Sequence, residues 1–227
     1  LYNINLNNYL NYYYTMNDLY TVFISCSPRD SDNKDIGLNQ IKNCINSIRN
    51  ELNFVDVMIY VIFDGVENRP TSFTEQNKIN YELKKTTLKN DPDILANKYI
   101  KIIEFNNWLH QANSLKKVMT EYCTTPLISS IQEDTLILNG KNIDLDLITD
   151  KLLNDNTVEY IKLFIHNDIT VLPGQERAGR SKVGDMKPEC LPATPHPDTK
   201  LLHNTKEWSD RPHFATIEHY NNRVWPK

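Results

Sequence analysis

Two adjacent carboxylates, Glu133 and Asp134, interrupt an apolar run near the middle of the sequence. Apolar residues dominate positions 127–131 and resume at 136–138, which is typical of a buried strand. Burying an ionised carboxylate is costly unless it is paired or bound to a metal. We therefore expect the strand to end here and to present both acids at its carboxyl edge, where open α/β sheets bind ligands. For this stretch alone, a solvated turn is the alternative interpretation.

Polar segments also follow three other apolar runs of strand type. These segments are residues 25–29 (SCSPR), Asp64 with Gly65, and residues 166–168 (HND). Because the carboxyl ends of parallel strands meet at one edge of a sheet, four such segments together describe a site.

The elements that must position these segments alternate along the chain. Strands are predicted at 20–25, 55–63, 99–105, 127–131 and 158–165, and helices at 38–52, 81–88, 109–122 and 145–152. This alternation predicts an α/β fold with a mostly parallel central sheet flanked by helices. We expect a lead-in or edge element at 1–19, the core at 20–170, and a long loop region with a C-terminal segment of the same domain at 171–227.

Composition excludes several classes of protein. The chain has 227 residues, 40% hydrophobic content and a net charge of -4, which fits one large domain or a domain with an appendage. No basic block indicates a nucleic-acid partner, and no apolar run reaches the roughly 18 residues of a transmembrane segment.

The four cysteines are widely spaced and form no CxxC pair, which argues against a zinc site and fits a reducing, cytoplasmic compartment. Cys26 and Cys44 are expected to be small core residues. The N-terminal stretch has neither the pattern of a signal peptide nor an initiator Met, so we expect a fragment or an excised domain.

Four segments carry a family resemblance through their order: ISCSPRD, VIFDG, HQANSLKKVMTEYCTTPLI and IQEDTLI. Their succession over roughly residues 20–168 resembles the nucleotide-sugar-binding half of the GT-A fold glycosyltransferases. The resemblance implies a GT-A-like sheet, a nucleotide-diphospho-sugar donor, a glycan or glycoconjugate acceptor, and Mn²⁺ or Mg²⁺ on the diphosphate. The chain departs from the family's D-x-D motif, because Gln132 fills the first position.

The resemblance also implies roles for individual residues. Asp134 would bind the metal, with His213 as a further ligand, and Glu133 would contact the ribose or support the metal ligand. The residues expected to contact the nucleotide or its diphosphate are Ser25, Ser27, Arg29, Asp64, Asn113, Lys116 and Lys117. If the enzyme inverts configuration, a base is needed, and the candidates are Asp168, Asp210 and Glu218. Trp208 could stack on a sugar.

Structural interpretations of these residues stay open. Lys116 and Lys117 could form a solvated helix face, Asp64 could simply form a turn, and a lone histidine such as His213 is often structural.

Two other functions also stay open. A nucleotidyltransferase usually has a Gly-rich loop after the first strand, whereas the first glycine here is Gly37. A non-catalytic carbohydrate- or protein-binding module would explain the missing D-x-D. The dehydrogenase G-x-G-x-x-G and the hydrolase G-x-S-x-G motifs are absent.

Overall fold

A computed structural model describes residues 15–28, 34–69, 73–137, 143–163 and 212–225. Within them, six strands form one sheet that helices flank, which confirms the predicted α/β class and the mostly parallel sheet. The strands are β1 (Tyr20–Cys26), β2 (Met58–Phe63), β3 (Ile100–Glu104), β4 (Leu127–Gln132), β5 (Tyr160–Lys162) and β6 (His213–Thr216). The helices are α1 (Met16–Leu19), α2 (Lys34–Glu51), α3 (Glu75–Lys89), α4 (Pro92–Ala96), α5 (Gln111–Tyr122), α6 (Leu145–Asn154) and α7 (Ile217–His219), and a π-helical segment follows at Tyr220–Val224.

The strand order of the sheet is β3-β2-β1-β4-β6-β5. Strands β1 to β4 are parallel, and β6 is antiparallel to both of its neighbours, β4 and β5. The chain moves outward from β1 to β3 and then returns to place β4 on the other side of β1. The carboxyl ends of β1 and β4 therefore flank the point where the strand order reverses, which is where ligands bind in open α/β sheets.

Apolar side chains cover both faces of the sheet. On one face, Val22 and Ile24 of β1 pack in one cluster with Ile41 and Ile48 of α2 and with Tyr81 of α3. On the other face, the cluster contains residues of β1, β2, β4, α5 and the C-terminal segment, namely Phe23, Tyr60, Ile62, Ile128, Leu115, Val118, Met119 and Tyr220. Because side chains alternate along a strand, the two faces use alternate residues of β1.

The helices begin where the sequence supplies capping groups. Thr74 caps α3 by accepting a hydrogen bond from the Asn77 N–H at 3.2 Å, and Asp144 caps α6 by accepting one from the Leu147 N–H at 2.9 Å. Such side-chain caps satisfy N–H groups that have no partner inside the helix. Both caps help to fix the crossover helices against the sheet.

Some boundaries differ from the predicted ones. Strand β2 begins at Met58 rather than at 55, because Asn53 has a φ of 54° and Val55 is 59% exposed, so the chain is still turning there. The described part of the strand predicted at 158–165 covers only Tyr160–Lys162. Cys26 and Cys44 are buried, as predicted. The lead-in predicted at 1–19 is described from residue 15 onward, and most of the loop region predicted from 171 lies outside the described residues.

Candidate functional site

Asp64 is the most unusual side chain at the carboxyl edge of the sheet. It follows β2 directly and is 1% exposed. Its Oδ1 accepts hydrogen bonds from the Gly65 N–H at 2.9 Å and the Leu109 N–H at 2.8 Å. Its Oδ2 is buried and has no hydrogen-bond partner among the described residues. Burial raises the pKa of Asp64, and the N–H groups of Leu109, Gly65 and His110 oppose that rise. A buried unsatisfied carboxylate oxygen is costly, so its retention calls for an explanation.

Gly65 allows the chain to close over Asp64. A Cβ atom at this position would lie 2.2 Å from the backbone carbon and oxygen of Asn107. The segment after β3 is held close by hydrogen bonds from the Glu67 N–H to the Asn106 carbonyl (3.2 Å) and from the Trp108 N–H to the Glu67 carbonyl (2.8 Å). This packing brings the Leu109 N–H to Asp64. The Asp-Gly pair was predicted as a turn, and its glycine serves a close backbone approach.

The N-terminus of α5 lies beside Asp64. Its N-cap residue, His110, has a φ of 69°, a conformation that is uncommon outside glycine and often marks functional sites. Asn113 in the first turn donates from Nδ2 to the Leu109 carbonyl at 2.9 Å. Asn113 therefore supports the loop whose Leu109 N–H binds Asp64. Asn113 itself is exposed at this edge of the sheet.

The turn after β4 separates the two adjacent acids. Asp134 is exposed, whereas Glu133 is 1% exposed, and its Oε2 lies 3.2 Å from Nζ of Lys84. The Glu133 N–H bonds to the Ser25 carbonyl of β1 at 3.2 Å. On the opposite face of the sheet, Nε2 of Gln132 lies 3.4 Å from Oε1 of Gln111 in α5. Of the two acids, Asp134 is the one that faces solvent.

The end of β1 contributes hydroxyl groups and, from a neighbouring loop, a cation. Ser25 is buried, and its Oγ has no hydrogen-bond partner among the described residues. Ser27 is half-buried. Arg69 donates from Nη1 to the Pro28 carbonyl at 3.1 Å, and its guanidinium lies 4.8 Å from the centre of the Phe73 ring. Arg69 thus places a positive charge next to the β1 end.

His213 opens β6 at the same edge but faces inward. It is 1% exposed, its Nε2 is hydrogen-bonded to the Tyr220 hydroxyl, and its ring centre lies 4.8 Å from that of Tyr160. It pairs with Ser130 of β4 in the sheet register. In this arrangement His213 supports the sheet and presents no surface to a metal at Asp134.

The structure does not bring Glu218 to the carboxyl edge. Strand β6 runs antiparallel to β4, so its own end meets the start of β4: Thr216 pairs with Leu127. Glu218 follows in α7 and is exposed at that opposite edge, roughly 16 Å away along β4 at about 3.3 Å per residue. The sequence named Glu218 as a possible base without placing it on an element. The other two candidates, Asp168 and Asp210, lie outside the described residues, as do Arg29 and Trp208.

Lys116 and Lys117 occupy the exposed side of α5, one to two turns below its N-terminus. The ammonium group of Lys117 lies 5.2 Å from the centre of the Phe105 ring. Among the described residues, neither lysine forms an ion pair with Asp64 or Asp134, so both remain available to a ligand that extends along the helix.

Metal binding at this edge would depend on Asp134. Among the described residues, no group of three or more His, Cys, Asp and Glu side chains is arranged to hold a metal ion. Mg²⁺ commonly binds one or two carboxylates together with substrate phosphates and water, so a single exposed carboxylate fits that use. The nearby thiols do not compete, because burial raises the pKa of Cys44 to about 12 and keeps it neutral.

Sequence reasoning missed Lys84, Arg69 and His110. Lys84 lies on the buried face of α3 with Tyr81 and Leu88. The spacing of Tyr81, Lys84 and Leu88, at i, i+3 and i+7, was a signal that this face is buried. For Arg69 in a loop and for the φ angle of His110, no signal in the sequence was present.

These groups lie along the carboxyl edge of the sheet and suit a polar ligand there. Asp64 can accept a hydrogen bond from a hydroxyl or N–H group, the start of α5 and Arg69 favour negative charge, and Asp134 can bind a divalent cation. No helix within the described residues is long and apolar enough to cross a membrane. Comparison with family models and with curated proteins found no match to this sequence.

Proposed function

We propose that this protein is a glycosyltransferase of the GT-A type, which transfers a sugar from a nucleotide-diphospho-sugar to a glycan or glycoconjugate. The observation that carries the proposal is the buried Oδ2 of Asp64 at the end of β2, for which no described residue supplies a donor in hydrogen-bonding geometry. A ribose hydroxyl or a base N–H of the donor would satisfy this oxygen. The order of the four sequence segments supports the same conclusion, since β1, β2 and β4 end at this edge and α5 begins there.

The chemistry sets the tasks of the remaining residues. The bond between the anomeric carbon and the diphosphate oxygen breaks, the nucleoside diphosphate keeps the electron pair, and the acceptor hydroxyl oxygen bonds to the carbon. Asp134 is the residue that would hold Mn²⁺ or Mg²⁺, which neutralises charge on the diphosphate when bound. Arg69 and the α5 N-terminus add positive potential at the same edge. Asp168 and Asp210 remain the candidates for the acceptor base.

Donor binding provides the test of this proposal. Melting temperatures should be measured with UDP, GDP, CDP and ADP, each with and without Mn²⁺. One nucleotide with Mn²⁺ is expected to raise the melting temperature by roughly 5–10 °C at about 100 times its Kd. The Asp134→Asn variant should lose the Mn²⁺-dependent part of the shift. Glu218→Gln is the matched control, because it removes an exposed carboxylate at the opposite edge, and it should behave as the wild type. The absence of a shift with every nucleotide would refute the proposal.

A second candidate is a non-catalytic carbohydrate-binding module on the same fold. It is favoured by one observation: Gln132 replaces the first acid of the motif, and Glu133 is engaged with Lys84 in the interior. This candidate predicts binding of a glycan without binding or turnover of any nucleotide sugar. A nucleotidyltransferase would instead release pyrophosphate from a nucleoside triphosphate and a sugar phosphate, which a coupled phosphate assay distinguishes.

A further inference from the structure

A buried ion pair lies directly behind the turn that presents Asp134. Nζ of Lys84, from the middle of α3, is 3.2 Å from Oε2 of Glu133, and the two side chains are 1% and 2% exposed. Two charges leave water to make this pair, which is costly, and replacing such pairs with apolar groups often preserves stability. A role beyond stability is therefore a reasonable explanation for keeping it.

The surrounding residues are arranged to admit Lys84. It lies on the buried face of α3 with Tyr81, whose ring centre is 5.0 Å from its Nζ. Gly37 of α2 faces it, and a Cβ at Gly37 would lie 2.5 Å from Cδ of Lys84. Glycine is unfavourable within a helix, and α2 tolerates it where the lysine side chain passes. The Tyr81 hydroxyl donates hydrogen bonds to the carbonyls of Cys26 (3.0 Å) and Asp64 (2.9 Å). These bonds join the same face of α3 to the ends of β1 and β2.

Glu133 links this pair to the β4 turn through its backbone. Its N–H donates to the Ser25 carbonyl at 3.2 Å, and the turn closes through a hydrogen bond from the Thr135 N–H to the Gln132 carbonyl at 3.0 Å. Asp134 lies between these two anchored positions. With its side chain held by Lys84 and its backbone held by β1, Glu133 fixes the direction in which Asp134 leaves the strand.

A direct contact between Glu133 and a ligand is the competing explanation. Such a contact would require the residues that bury Glu133 to move aside, because its side chain is only 2% exposed. A ligand bound to the exposed Asp134 makes no such demand. The geometry therefore favours an indirect role for Glu133.

We infer that Lys84 is a positioning residue, whose ion pair with Glu133 holds the β4 turn so that Asp134 faces the ligand at the sheet edge. The identity of that ligand, a nucleoside diphosphate with a divalent cation, rests on the proposed function. The rigidity of the turn does not, since it follows from the buried contacts alone.

A double-mutant cycle tests the inference. Lys84→Met, Glu133→Gln and the double variant should each weaken binding of the nucleotide with Mn²⁺ by about tenfold, and the double variant should be no weaker than the singles, because residues that act as one unit are not additive. Lys85→Met is the control: Lys85 is the adjacent, largely buried lysine, and its partners Glu82 and Glu104 are more exposed. It should bind as the wild type. Wild-type binding by Lys84→Met, or multiplied losses in the double variant, would overturn the inference.

Amide hydrogen exchange gives a readout that does not depend on the ligand. Exchange at Glu133 and Thr135 should become at least tenfold faster in the cycle variants and stay unchanged in Lys85→Met. If a cycle variant does not fold, Gly37→Ala serves instead, because its methyl group presses on Lys84, and Gln40→Ala on the exposed side of α2 is its control. Unchanged exchange at Glu133 would refute the positioning role, whereas faster exchange in a protein that binds no nucleotide would refute only the proposed function.

Discussion

At the scale of single residues, the three carboxylates of the site differ in their burial and in their partners. Asp64 keeps one oxygen without a partner among the described residues, Glu133 is paired inside, and Asp134 is exposed. The sequence placed all three at strand ends but did not predict which would be buried, because burial depends on neighbours far along the chain. Lys84 precedes Glu133 by 49 positions, and only the folded sheet brings them together.

Replacing Asp64 with asparagine separates its contribution to donor binding from its effect on the stability of the fold. Asparagine can still accept from the Gly65 and Leu109 N–H groups and carries no charge to bury. We expect Asp64→Asn to be at least as stable as the wild type at pH 7 while losing donor binding by tenfold or more. Chemical denaturation and calorimetric titration measure the two quantities. A stable variant with normal binding would show that Asp64 does not contact the donor.

The pH dependence follows from the direction of the Asp64 shift. Its pKa is raised in the folded protein, mainly by burial, so the stability it contributes is fully present below the unfolded pKa and is lost as pH rises through the folded pKa. The advantage of Asp64→Asn in unfolding free energy should therefore shrink as pH falls through the raised pKa toward the ordinary aspartate value of 3.8. A denaturation series from pH 7 to pH 4 checks this. An advantage that grows on acidification would contradict the assignment.

At the scale of elements, the strands and crossover helices followed from periodicity, and their connections did not. The runs that became β1, β2, β3 and β4 are buried, β-branched or aromatic, so their type was evident. Strand β6 was not predicted, and its direction could not be, because an antiparallel strand has the same local pattern as a parallel one. That direction determines that Glu218 follows β6 at the edge opposite Asp64 and Asp134.

The turn after β2 offers a test at this scale. In Gly65→Ala, the added methyl group would meet the Asn107 backbone, so the segment before α5 must move and carry the Leu109 N–H away from Asp64. We expect a loss of about 1–3 kcal/mol in unfolding free energy, together with weaker donor binding. Urea denaturation measures the first effect. Glu67→Ala, an exposed change two residues on, should leave both quantities unchanged.

At the scale of the whole molecule, stability depends on completing the sheet with β6. This strand joins β4 to β5, and its Phe214 is fully buried against Tyr20, with ring centres 5.8 Å apart. The sequence predicted a C-terminal segment of the same domain here but not its partner strands, since pairing across a sheet is not encoded locally. The two-sided core therefore includes a segment that arrives late in the chain.

Removing the Phe214 side chain tests that dependence. Phe214→Ala should lower the unfolding free energy by about 3–5 kcal/mol, because it leaves a cavity in the core between β4 and β5. Val55→Ala, at a position 59% exposed, should change it by less than about 0.5 kcal/mol. Thermal or urea unfolding compares the two. An equal effect of both substitutions would show that β6 contributes little to the core.

The position of β6 also orders events during synthesis on the ribosome. About fifty residues separate Lys162 from His213, so β5 emerges well before the strand that joins it to β4. At about 5–20 residues per second, that interval lasts roughly 3–10 s. During this time the outer edge of β4 is open to another nascent chain or to a chaperone. The edge of β4 that β6 will cover is thus a site of misassembly between the translation of β5 and that of β6.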